Sequence, residues 1–419
     1  MGSGYFTRLA AVLAAAALAP DPGARPLRAC AAGETPLSGP FAPFDDVLSV
    51  SPLGAVTAPG EPLPTPYIRI NTRRADKGFA RRETKALAPA KADIVALERT
   101  LRRDADGNAI GQSWTVHFKP CNKITVYYEG LDEIDPDILR RAGGLKSFVE
   151  LGGPDHIARQ THIRVRAGET IGEAAGFDVG LQDLSQPPAV TARPERYQSN
   201  PYDAASVFDA PPSLIAAITV DDSRARCPLD YLPDAIEKKW ANKLGDAWGV
   251  RKAEGEGACR TALVDVPGTA QGAWFTDASH NAVTDKISAI ALAPDSVEPS
   301  RLIFALHGLL KSLTPDMVAL PGPLENERAE AARDFLTFDR GDGRINTPFS
   351  RVRSGEFYCY ERLRANFVGP KIDGVLLMQI STAPNGSAQM MLEARSDVSR
   401  CIDLKDPWAF TGKETTFYR

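Results

Sequence analysis

Histidine is scarce in this chain of 419 residues, and the five present do not cluster. His117, His156, His162, His280 and His307 show no metal-ligand spacing among themselves. The six cysteines form no C-x-x-C pair, so a structural zinc knuckle is not expected. Charge of one sign is lacking too. The formal net charge is -4, and basic runs such as Arg73-Arg74 and Arg102-Arg103 are short. A nucleic-acid partner would require a clustered basic surface, so none is expected. There is no G-x-S-x-G elbow, no P-loop and no Rossmann fingerprint, and no motif joins Ser350 to His307. No catalytic residue, cofactor or metal site is therefore assigned.

Long apolar runs are also missing, with one exception. LAAVLAAAALA, residues 9 to 19, follows a weakly basic start that ends at Arg8. It is too short to span a bilayer and fits the core of a secretion signal, so no transmembrane span is expected in the mature chain. The alternative is an Ala-rich helix or a mis-called start. Leu27-Arg28-Ala29-Cys30 has the look of a lipoprotein attachment site, but charged and proline residues separate it from the apolar run. Export implies an oxidising compartment and disulfides. The favoured pairs are Cys227 with Cys259 and Cys359 with Cys401, with a set of buried free thiols as the alternative.

Four segments follow from composition. Residues 1–45 read as a signal-like stretch and a Pro/Gly/Ala-rich linker. Residues 46–225 read as a first β-rich domain, with strands at YIRIN, SWTVHF, KITVYY and HIRVRAG. Within it, Ile94, Leu97 and Leu101 recur at helical spacing after Pro89, which predicts a helix over Ala90 to Arg103. Residues 226–258 place Leu232, Ile236, Trp240, Leu244 and Trp248 four apart, the stripe of a helical connector. Residues 259–419 read as a second β-rich domain with turns at Asp342-Gly343, Asp373-Gly374 and Asn385-Gly386, and a short helix from about Glu325 to Phe338.

Four passages of the first domain together carry a family likeness: SPLGAVTAPGEPLPTPYIRI, TVHFKPCNKITVYYEGLDEI, RVRAGETIGEAAG and FDVGLQD. In this order they resemble the β-barrel of lysostaphin-like zinc endopeptidases. The resemblance implies a mainly β fold: a lysostaphin-like barrel or sandwich, joined to a second β-rich domain with a few helices. It does not carry over the chemistry. The family's H-L-H reads Asp178-Val179-Gly180 here, its Tyr-Ala-His reads Tyr128-Glu129-Gly130, and the first ligand passage offers Ala55, Glu61 and Pro66 without a histidine. Zinc hydrolysis needs such ligands plus an open position for an activated water.

The resemblance thus points to an exported, non-catalytic protein with a degenerate peptidase barrel. Its partner would be a cell-wall glycan, a peptide or another protein. Candidate cleft residues are Glu61, Tyr128, Glu129, Asp178 and Asp183. Candidate ligand-stacking residues are Trp274, Tyr358 and Tyr360. Two alternatives stay open: a polymer hydrolase working through paired carboxylates, and a structural envelope protein with an apolar patch around Trp240 and Trp248.

Overall fold

The computed structural model describes residues 27–31, 35–56, 63–104, 106–189, 191–196, 198–199, 210–253, 258–259, 265–279, 288–319, 335–365, 369–383 and 386–419. The signal-like run, Glu61 and Asn385 lie outside the described residues. The fold is mainly β, built on two large antiparallel sheets.

The first sheet has eight strands. Across it they run Ser49–Ser51, Tyr67–Asn71, Phe177–Asp183, Ile124–Leu131, Ala109–Cys121, Ala92–Arg103, His156–Val165 and Val149–Glu150. Alternation assigns the faces, as the period of two requires. Phe177, Val179 and Leu181 enter one core with Val126, Tyr128, Val116 and Phe118. Asp178, Gly180, Gln182, Tyr127 and His117 lie on the opposite face, in register with one another.

The expected helix over Ala90 to Arg103 is a strand, and a bulge explains the misleading pattern. The pairing with Ala109–Cys121 shifts register between Ile94 and Ala96. One extra residue puts Ile94 and Leu97 in the same core while Ala96 faces away. A three-residue spacing then looks helical although the backbone is extended.

Two further segments depart from their compositional reading. Leu37, Phe41 and Ala42, expected in a linker, are fully buried in the first core. Phe41 meets Trp240 and Tyr128 edge-on, at 5.2 and 6.5 Å between ring centroids. The connector helix covers only Asp234–Ala241. Leu229, Leu232, Trp240 and Leu244 nevertheless all reach the first core. Trp248 lies beyond the helix and stays 48% exposed, with Arg73 stacked 4.3 Å from its ring.

The second sheet has eleven strands, including Gly272–Phe275, Ala289–Pro294, Arg301–Ala305, Phe335–Asp339, Phe357–Tyr360, the hairpin Val375–Thr382 with Ala388–Arg395, and Thr415–Tyr418. The helix expected from about Glu325 falls mostly outside the described residues, and its far end is the Phe335–Asp339 strand. One face carries a core in which Phe304 and Phe338 stack on each other and both meet Phe349 and Tyr360 edge-on. The other face is rich in alanine: Ala291, Ala293 and Ala305 beside Ile303 and Phe335. Those small residues let Val56 and Leu63 of the first domain pack onto the sheet. Arg251 completes the junction with an ion pair to Asp295 at 2.5 Å.

All six cysteines are paired: Cys30–Cys121, Cys227–Cys259 and Cys359–Cys401. The two favoured pairs are present. The third corrects the lipid-anchor alternative, because the Cys30 sulfur is already bonded to Cys121 and cannot carry a thioether. Among the described residues no helix is long and apolar enough to cross a membrane.

Candidate functional site

The outer face of the first sheet carries Asp178 and Gly180, and at both positions it is filled. Asp178 is 5% exposed, and both its oxygens accept from Arg69, at 2.7 and 2.9 Å. Glu129 lies opposite Asp178 on the neighbouring strand and is exposed. These two carboxylates are brought together, but Arg69 already takes both oxygens of Asp178. Two residues on, Gly180 lies beneath the Tyr127 ring. A Cβ at Gly180 would sit 1.9 Å from Tyr127 Cζ, so no imidazole fits there. Burial, with nearby acidic groups adding to it, holds the Tyr127 phenol well above its usual pKa.

The remaining cleft candidates lie apart. Tyr128 points the other way into the core, its hydroxyl donating to the Leu87 carbonyl at 2.7 Å. Asp183 closes the same strand at an odd spacing from Asp178, so it faces the opposite side. Ser185 Oγ and Tyr231 Oη donate to it, at 2.5 and 2.8 Å. Of the stacking candidates, Trp274 is 1% exposed with Arg419 over its ring, and Tyr360 is wholly buried. Tyr358 is 4% exposed and its hydroxyl is bonded to Glu356 and the Arg353 amide. None of the three offers a free ring face to a flat ligand.

The histidines, dispersed in sequence, partly converge. His117 and His156 both approach Glu98, at 2.6 and 3.2 Å. This carboxylate ties three adjacent strands together. Among the described residues no group of three or more His, Cys, Asp or Glu side chains is placed to hold a metal ion.

The surface that does gather unpaired chemistry is a cationic cleft of about 710 Å³ at the end of the sheet. Lys91, Arg141, Arg164 and Arg166 line it, against one carboxylate, Glu169. Topology brings them together. Arg164 pairs with Asp93 and Val165 with Ala92, so Lys91 and Arg166 extend the same ladder. Arg164 and Arg166 alternate with buried Ile163 and Val165 and so share the outer side. The following turn has Gly168 at φ +79°, a backbone that favours glycine.

Arg141 comes from the last turn of a short helix, Pro136–Arg141. Asp135 caps that helix by accepting from the Asp137 amide, and Pro136 suits its first position. Arg141 is held by Glu169 at 3.1 Å, and Arg164 lies 3.6 Å from Asp93. Lys91 and Arg166 are exposed, and no side chain among the described residues pairs with either. The alternating arginines of HIRVRAG were visible in the sequence. Their convergence with Lys91 depends on strand pairing over more than seventy positions, and that with Arg141 on where its helix is placed, neither of which a local pattern displays.

No protein-family model matches the chain, and neither a curated protein nor a solved structure does.

Proposed function

We propose that this is an exported, non-catalytic binding protein whose first domain holds an acidic cell-wall glycan or peptide. The observation that carries this reading is the cleft with four cations and one carboxylate, two of the cations having no side-chain partner among the described residues. Exposed cations left without counter-charges attract anionic groups. The filled position over Gly180 and the double occupation of Asp178 by Arg69 favour binding over hydrolysis.

Descent from a lysostaphin-like barrel is part of the proposal. Its support is that three of the four passages bearing the resemblance supply neighbouring strands of one sheet, Tyr67–Asn71, Phe177–Asp183, Ile124–Leu131 and Ala109–Cys121, while RVRAGETIGEAAG supplies Thr170–Ala174 in a separate three-stranded sheet. Three disulfides support export to an oxidising compartment.

Co-sedimentation of the oxidised protein with purified insoluble cell wall tests the reading. Specific pelleting that weakens as salt is raised is expected, since exposed charge contacts are screened over about 10 Å at ~0.1 M salt. Absence of pelleting at low salt would move the structural-envelope reading to the front.

A further inference from the structure

A second recess lies on the outer face of the first sheet and shares no residue with the cationic cleft. It encloses about 430 Å³. That is within the range of small-molecule pockets, roughly 300–1,000 Å³. Its floor is a row of polar side chains on three neighbouring strands: Lys119, Thr125 and Gln182. Gln182 and Thr125 are directly paired across their strands. Neighbouring strands are about 4.8 Å apart, so the row spans roughly 10 Å.

The wall is apolar. Helix Pro212–Ile218 lies beside the row, with Leu214 and Ile218 anchored against Ala96, Leu151 and Ala158. Ile215 and Ala216 of this helix, with Leu184 from the end of the neighbouring strand, line the recess. Leu184 is 49% exposed.

Two donors of the floor have no partner among the described residues. Gln182 is 4% exposed, and its Nε2 is buried without a hydrogen-bond partner. A buried donor left unsatisfied is costly, so a group that accepts from it is favoured. Lys119 is half-buried, and no carboxylate among the described residues pairs with it. Desolvation lowers its pKa, as expected of an ammonium that lacks a counter-charge. The one acid at the rim, Asp221, is already committed: Ser223 donates to it through its amide and hydroxyl, and Arg224 lies 3.2 Å away.

We infer that this recess binds a small monocarboxylate with an apolar tail. The carboxylate would accept from Lys119 and Gln182, and the tail would lie against Leu184, Ile215 and Ala216. A carboxylate accepts without donating and supplies the charge that Lys119 lacks. An amine would meet the ammonium, and inorganic phosphate would leave the apolar wall uncovered.

The test uses the full oxidised chain and calorimetric titration with hexanoate, hexanamide, hexylamine and inorganic phosphate. Hexanoate is expected to bind saturably, and hexanamide about tenfold or more weakly, the loss of one charge-assisted contact. Hexylamine and phosphate should not bind. K119M and Q182E should each weaken hexanoate at least tenfold while circular dichroism and cell-wall pelleting stay unchanged. The inference is overturned if hexanoate does not bind saturably, if hexanamide matches it, or if both variants bind it like the parent. Because wall pelleting is scored separately, failure here is distinguishable from failure of the cationic cleft.

Discussion

Replacing Gly180 with alanine should destabilise the first domain through one contact, the Tyr127 ring. The added methyl would overlap Tyr127 Cζ at 1.9 Å and Cε1 at 2.1 Å. The ring cannot swing out cheaply, because Tyr127 is 4% exposed. Overpacking of this kind costs about 1–3 kcal/mol. Tyr127→Ala alone removes a buried aromatic ring, at about 3–5 kcal/mol. In the double variant the clash is gone and the new methyl occupies space vacated by the ring. Its cost should therefore fall short of the summed single costs by at least about 1 kcal/mol, a coupling typical of side chains in contact. Urea denaturation with disulfides intact measures all three variants. Additive losses would refute the argument that the Tyr127 ring packs directly onto Gly180. Wild-type stability of G180A would refute it more simply.

Arg419→Ala should cost about 3–5 kcal/mol, since it strips a buried partner from Asp265 at 3.0 Å. It also empties a site in which the guanidinium donates to the carbonyls of Val266, Thr269, Ala270, Gln271 and Ala273. Serine at both Cys30 and Cys121 should lower stability by about 4.6 kcal/mol from loop closure alone, given their separation of 91 residues. The same change at Cys227 and Cys259, separated by 32, should cost about 3.7 kcal/mol. Thermal melts of each pair variant read these losses. Burial alone would raise the Asp183 carboxyl pKa, but bonds from Ser185 and Tyr231 outweigh it and hold the group below its usual 3.8. A depressed carboxylate pKa contributes stability above the unfolded value, and that contribution drains as pH falls through the folded value. Melting curves of D183N and the parent should therefore differ at neutral pH and converge in acid.

The strands of both domains were largely legible because period-two alternation survives in them. YIRIN coincides with Tyr67–Asn71, and GVLLMQIS with AQMMLEARS forms a hairpin. The reading failed where a bulge broke that period at Ile94–Ala96. It failed again where a four-residue stripe, Leu232 to Trp248, continued past its helix into turns that still deliver Leu244 to the core. Aromatic content marked Trp274, Tyr358 and Tyr360 as surfaces for a ligand. Residue type alone does not say which face of a strand is covered, and these three are buried. The cationic cleft was half legible, in Arg164 and Arg166. Lys91 and Arg141 join them only through pairing and helix placement.

The most direct test of the binding account is wall pelleting by a charge-reversed cleft. K91E/R166E changes the two unpaired cations. K371E/K405E, on exposed lysines of the second domain, makes the same change in net charge elsewhere. A charge contact at 4 Å is worth about 1 kcal/mol in water, so turning two attractions into two repulsions removes about 4 kcal/mol before screening. The account predicts at least about a hundredfold weaker wall binding for K91E/R166E and near-parent binding for the control. Equal binding by both variants would contradict it.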